Sequence, residues 1–130
     1  EPGLDEASAS FKLGNRAVAL DANFARAYSL LAASYSGVGE SELARTSAAK
    51  AFALRDRATE RERLHISYWY YQIVTGERDK AVDALETLTQ TYPRFAPGHV
   101  NLAYQYVAAG QYEKAIAVNC QGPCIIGSWR

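Results

Sequence analysis

Two histidines have the side-chain type and the spacing that most directly suggest chemistry. They are His65 and His99, and the 130-residue chain has no other histidine. A pair of imidazoles could bind a metal ion or exchange protons as acid and base. Because no carboxylate recurs beside both of them, we favour the alternative, in which each histidine is half-buried at a contact between helices.

The two cysteines are a second candidate centre and are spaced as Cys120-x-x-x-Cys124. Two thiols are too few for a disulfide framework or for a zinc site with four cysteine ligands. They could pair with each other, or they could be the reduced thiols of an intracellular protein. We favour reduced thiols and therefore expect a cytoplasmic protein.

Sequence motifs of catalysis are absent from the chain. It contains no glycine-rich phosphate loop, no dinucleotide-binding glycine pattern, no His-Glu-x-x-His and no Gly-x-Ser-x-Gly. We therefore predict no catalytic residues, no cofactor and no metal.

The 14 basic and 14 acidic residues balance, which argues against nucleic acid as a partner. No apolar run reaches the roughly 18 residues of a membrane span, so no membrane partner is expected.

The segment from Arg55 to Arg63 alternates in charge. Its arginines could grip an acidic partner through their planar guanidinium groups. Alternatively, the segment is a solvated junction that leads into a helix, with Glu60 and Glu62 near the positive end of the helix dipole. We favour the junction.

An internal repeat must position these side chains. Three sets of residues recur in a single register, in which the first step is slightly longer than the second. The sets are Gly39, Gly76 and Gly110; Ala44, Ala81 and Ala115; and Tyr28, His65 and His99. A period of about 34 residues with two helical stretches in each unit is typical of a helix–turn–helix repeat.

Apolar residues within each unit follow helical spacing, and no segment alternates with a period of two. The sequence therefore predicts an all-α fold. Gly76 and Gly110 are predicted to end helices in the left-handed conformation that glycine tolerates. Pro93 and Pro97 cannot lie deep inside a helix, so they are predicted to mark a junction between units.

At these positions the chain resembles the tetratricopeptide repeat (TPR) family, over roughly residues 6–119. The first unit reads Tyr28-x-x-Leu31-Ala32-x-x-Tyr35, and the third reads His99-x-x-Leu102-Ala103-x-x-Tyr106. The second unit is looser, and its bulky Trp69 leads us to expect splayed helices or a slot for the indole. The resemblance implies a right-handed α–α superhelix, a TPR solenoid, of about three repeats after a half-repeat.

The repeat register divides the chain into five segments. Residues 1–24 are expected to form the second helix of a preceding repeat. Three repeat units follow, at residues 25–61, 62–95 and 96–121, and residues 122–130 form an irregular tail. Because the chain lacks methionine and its last helix should end near Cys120, we expect a fragment of a longer array. Self-association through the shortened C-terminal end is a further expectation.

The family resemblance also assigns two sets of residues. The first set packs the repeats: Tyr28, Leu31, Ala32, Tyr35, Ala44, Ala51, Tyr68, Ala81, Leu102, Ala103, Tyr106 and Ala115. The second set is expected to line a concave peptide-binding groove: Ile66, Ser67, Tyr70, Ile73, Val74, Val100, Asn101, Tyr104 and Val107. The basic side chains with which some family members bind a terminal carboxylate have no counterpart here.

The resemblance implies a non-catalytic module that binds a protein or peptide in this groove. The alternative, that another element of the whole protein fills the groove, has equal weight. An alternative function is that of a regulatory or sensor segment in a larger bacterial signalling protein, such as a serine/threonine kinase or a transcriptional regulator. Two segments of the chain are similar to repeat arrays of those proteins: Leu54-Arg55-Asp56-Arg57 and Glu60-Arg61-Glu62-Arg63.

Overall fold

All regular structure that the computed structural model describes is helical, as the sequence predicts. The description covers the backbone of residues 2–121 and the side chains of residues 8–119. The helices are α1 (Pro2–Leu20), α2 (Ala25–Gly37), α3 (Ser41–Ala53), α4 (Glu60–Tyr70), α5 (Arg78–Thr91), α6 (Ala96–Ala108) and α7 (Tyr112–Gln121). A 3₁₀ turn, Arg55–Arg57, precedes α4, and a π-helical turn, Tyr71–Thr75, follows it. Within residues 2–121, no helix has both the length and the apolar character needed to cross a membrane.

Glycines make three of the turns between helices. Gly39, Gly76 and Gly110 have φ angles of 81°, 70° and 76°. Other residues are strained in this left-handed region, whereas glycine has no Cβ to clash with the backbone. The predicted left-handed ends at Gly76 and Gly110 are confirmed. Pro97 lies in the first turn of α6, where its missing N–H costs nothing.

The charged segment before α4 forms a helix start, as we favoured. The Thr59 hydroxyl accepts a hydrogen bond from the Glu62 backbone N–H at 3.3 Å, and the Glu62 carboxylate accepts one from the Thr59 N–H at 3.2 Å. This reciprocal capping box satisfies two amide groups that the helix itself leaves unpaired. Glu60 and Glu62 lie in the first turn, where negative charge is stabilised by the helix dipole.

The chain divides into two compact units, Glu1–Ala81 and Val82–Arg130. In the first unit, α2 packs against α1, α3 and α4. Its core includes Ala25, Ala51 and Ile66, one residue from each of α2, α3 and α4. The two alanines leave room for close approach of the helices, and burying the Ile66 side chain contributes about 2 kcal/mol.

In the second unit, α6 packs against α7 and is tied to α5. Gly98 lies so close to Leu88 that an added Cβ would be 3.2 Å from the leucine side chain. The Tyr106 hydroxyl donates a 2.6 Å hydrogen bond to the Glu86 carboxylate. Burial, together with this bond and the charge of Glu86, raises the pKa of Tyr106 to about 12, so this hydroxyl remains protonated.

The residues assigned to repeat packing divide into two groups by burial. Tyr28 and Tyr35 are half-buried, and the Tyr35 ring lies 4.8 Å from that of Phe11. The others are buried: Leu31, Ala32, Ala44, Ala51, Tyr68, Ala81, Leu102, Ala103, Tyr106 and Ala115. The expectations about the tail and about pairing of Cys120 with Cys124 concern side chains outside the described residues.

Candidate binding surface

Three apolar side chains on α6 remain exposed. Val100, Tyr104 and Val107 retain 47%, 69% and 49% of their accessible surface. Steps of four and three residues place them on one stripe of the helix, which we call the α6 face. Asn101, beside the stripe, is half-buried. The sequence assigned all four to the groove, and α6 presents the three apolar ones to solvent.

The positions assigned to the groove on α4 are different. Ile66 is only 1% exposed, and it belongs to the core of the first unit with Ala25 and Ala51. This corrects its assignment to a ligand-binding surface, because a side chain enclosed by α2 and α3 cannot contact a ligand in this conformation. Helix α4 has apolar residues on two sides, and the sequence pattern did not show which of these sides carries Ile66.

Tyr70 is half-buried because its ring is already stacked. The Phe52 and Tyr70 ring centroids are 3.9 Å apart, and the rings are 9° from parallel. The Arg55 guanidinium lies 3.9 Å from the centroid of Phe52. Both groups cannot occupy one face of the ring at that distance, so Phe52 is sandwiched between them. Tyr71 adds an edge contact to Phe52, with centroids 6.1 Å apart. We call these four residues the Phe52 cluster.

Of the remaining groove positions of the first unit, one lies within α4 and two lie within the π-helical turn. Ile73 and Val74, within the turn, are half-buried. The Ser67 hydroxyl donates a 2.8 Å hydrogen bond to the Arg63 carbonyl on its own helix. The hydrogen bonds of a π turn reach one residue further along the chain than those of an α-helix, which changes the direction of the side chains after Tyr70. The regular 3.6-residue pattern no longer applies to them.

The two histidines are held differently. His65 is half-buried, and its ring centroid is 6.2 Å from that of Tyr68 and 6.0 Å from that of Trp69. Burial, reinforced by the positive charges of Arg26 and Arg61, lowers its pKa to about 4. His65 is therefore neutral at pH 7.

His99 is 6% exposed and closes the junction between α5 and α6. Its Nε2 lies 2.7 Å from the Pro93 carbonyl oxygen, so Nε2–H is the donor and Nδ1 carries no proton in the neutral ring. The Nδ1 atom is buried without a hydrogen-bond partner among the described residues. In the same part of the chain, no three His, Cys, Asp or Glu side chains are grouped to hold a metal ion.

Trp69 is half-buried, with its ring 4.8 Å from that of Tyr68. The expected splaying, or a slot for the indole, stays a prediction.

Sequence reasoning missed the Phe52 cluster. The available signal was four consecutive aromatic residues, Tyr68 to Tyr71, which lie about 100° apart on a helix and cannot all face one core. At least one ring therefore points away from that core, and Phe52, on the preceding α-helix, was the nearest phenylalanine, tyrosine or tryptophan upstream.

No protein-family model and no curated protein matches this chain. Its functional interpretation therefore depends on the residues and on the geometry described above.

Proposed function

We propose that this chain is a non-catalytic interaction module that binds an apolar peptide segment on the α6 face. The observation that supports it most strongly is the exposure of Val100, Tyr104 and Val107 on a single helix stripe. Exposed aromatic side chains with apolar neighbours are typical anchors of protein interfaces. The side chain of Tyr104 combines a large apolar ring with a hydroxyl that bonds water or a partner.

The dimensions of the α6 face suit a short segment of a partner. Its helical stretch, from Val100 to Val107, spans about 10 Å, which matches two turns of an amphipathic helix or a short extended chain. All three side chains of the face are uncharged, so we expect the partner to contribute apolar anchors rather than a charged motif. The TPR solenoid is proposed as the architecture that repeats such faces, supported by the shared register of the recurring glycines and alanines.

The regulatory alternative uses the same surface. A segment of a kinase or transcriptional regulator would also bind a peptide through exposed helix faces, so the binding measurement below applies to both. The alternative differs only in requiring that peptide binding change the activity of an attached domain.

A peptide-display selection against the purified chain would test the proposal, with affinities of the selected peptides measured by fluorescence polarisation. Tyr104→Ala should weaken binding at least tenfold with an unchanged circular dichroism spectrum. Tyr112→Ala is the matched control, because Tyr112 is also exposed, at 63%, but lies on α7. Equal weakening by both substitutions, or by neither, would contradict the proposal.

A second copy of the chain is a competing partner for the apolar surface near the C-terminal end. Tyr112 and Ile116 are both exposed and lie one turn apart on α7. Light scattering over a range of concentrations would detect it. If the chain dimerises and Ile116→Ser restores a monomer without affecting peptide binding, α7 serves self-association and α6 remains the proposed peptide surface.

A further inference from the structure

The first unit contains a cavity that is separate from the α6 face. It has a volume of about 170 Å³ and lies between the turn that precedes α2, the 3₁₀ turn and the first turn of α4. Its lining residues are Asp21, Asn23, Phe24, Ala25, Arg26, Arg57, Ala58 and Glu62. A tetrahedral oxyanion fits readily in this volume.

The carboxylates of the cavity are already engaged. The Asn23 backbone N–H donates to the Asp21 carboxylate at 2.9 Å and holds it in a local turn. The Glu62 carboxylate accepts from the Thr59 N–H in the capping box. Each carboxylate therefore already accepts a hydrogen bond from the backbone next to it.

The two arginines of the cavity, in contrast, are solvent-exposed, and their guanidinium groups are accessible to a ligand. Neither Arg26 nor Arg57 forms an ion pair with another described residue. A guanidinium group has five N–H donors and no acceptor, so the cavity has a surplus of donors. A group rich in acceptor atoms would complement these donors.

The ring of His65 lies within the electrostatic influence of the cavity. The charge of Arg26 reaches this ring and contributes to keeping it neutral, as does that of Arg61. Arg26 therefore lies near enough to His65 for this ring to respond to a change of charge on the Arg26 side of the cavity, which Asp21 and Glu62 also line.

We infer that this cavity binds a phosphoryl group through Arg26 and Arg57. A tetrahedral phosphoryl group has acceptor oxygens on several sides and can be held by two guanidinium forks at once. A single carboxylate is planar and matches one fork. The phosphoryl group could belong to a free phosphate compound or to a phosphorylated side chain, and the binding experiment separates these sources.

The test is a titration with inorganic phosphate at pH 7.5 and constant ionic strength, followed by histidine ring signals in NMR. We expect saturable binding with a Kd on the order of 1 mM. Bound phosphate should also raise the pKa of His65, because it offsets the Arg26 charge that lowers it. A merely non-specific salt effect would not select this ring over His99.

Single substitutions establish which side chains bind. Arg26→Gln and Arg57→Gln should each weaken phosphate binding at least fivefold, and Arg57→Lys should weaken it less. Arg45→Gln is the matched control, since Arg45 is an exposed arginine of the first unit outside the cavity. Circular dichroism would establish that each variant is folded.

One further ligand identifies the source of the phosphoryl group. Tighter binding of N-acetyl-phosphoserine methylamide than of inorganic phosphate would indicate a phosphorylated partner, and the reverse order a free phosphate compound. The inference is overturned if phosphate gives no saturable shift, if acetate binds equally well, or if the Arg26→Gln/Arg57→Gln double variant binds like the unaltered protein.

Discussion

Helices α4 and α6 have the same predicted role but present different surfaces. Tyr70 and Tyr104 occupy equivalent positions in the repeat register, five places after His65 and His99 respectively. Tyr70 is half-buried against Phe52, whereas Tyr104 is 69% exposed. The counterpart of Phe52 in the next unit is Thr89, whose hydroxyl donates to the Glu86 carbonyl on its own helix.

The two tyrosines differ in the residue that the preceding helix carries at the equivalent position. A phenylalanine on α3 supplies a ring for Tyr70, and a threonine on α5 supplies none for Tyr104. We therefore infer that the residue at this place on the preceding helix controls the exposure of Tyr104.

Phe52→Ala should have the largest effect on the first unit. Removing the ring leaves Tyr70 and Arg55 without their stacking partner, and we expect a loss of about 3 kcal/mol in the free energy of unfolding. Urea denaturation would measure this loss. Tyr104→Ala is the contrasting change, since its exposed ring should contribute less than about 0.5 kcal/mol. Similar losses for both would remove the distinction between the two helices.

His65 on α4 provides the second test, through the pH dependence of the free energy of unfolding. Because the pKa of His65 falls from 6.5 to about 4 on folding, the unfolded chain binds its proton more readily. Stability from His65 is therefore fully present above about pH 6.5 and lost as the pH falls towards 4. Allowing for partial solvent screening, we expect a loss of about 2 kcal/mol.

Carboxylates also titrate in the lower part of this range, so the comparison requires a variant. The difference between the urea midpoints at pH 7.0 and at pH 4.5 should be smaller in the His65→Gln variant than in the unaltered chain. An identical pH dependence in the two proteins would show that His65 does not carry the effect.

Gly98→Ala should destabilise the second unit by about 1 kcal/mol. The new Cβ would lie 3.2 Å from the Leu88 side chain, and this crowding outweighs the gain from replacing a helical glycine. Gly37→Ala is the control: an added Cβ there has no neighbour within 4 Å, and we expect a gain of up to about 1 kcal/mol. Thermal unfolding followed by circular dichroism measures both. A gain at Gly98 would mean that α5 and α6 are not packed so closely.

Thr89→Phe should have the smallest effect on stability and the most direct bearing on the comparison. If a ring on α5 can cover Tyr104, the variant gains about 0.5 to 1 kcal/mol from aromatic contact. The exposure of Tyr104 to chemical iodination, read by mass spectrometry, should fall at the same time. Unchanged labelling of Tyr104 would show that α5 does not control the α6 face.

Much of the fold could be predicted from the sequence, but less of the candidate surface. The 3.6-residue spacing of apolar residues and the glycines at 76 and 110 predicted helices and their ends, because these features depend on nearby backbone. The directions of Ile73 and Val74 depend on a π-helical turn that interrupts the regular spacing, and the exposure of Tyr70 depends on ring contacts with Phe52 on the preceding α-helix. Those contacts are tertiary, and periodicity carries no information about them.

The left-handed turns at Gly39, Gly76 and Gly110 also have a consequence for chemical synthesis. Each glycine has the φ angle that a mirror-image amino acid prefers. D-alanine at these positions would adopt the turn without strain and would restrict the unfolded chain, stabilising the fold by about 0.4 to 1 kcal/mol at each position. The backbone conformation of these turns therefore depends on handedness at a single residue, and only secondarily on side chains.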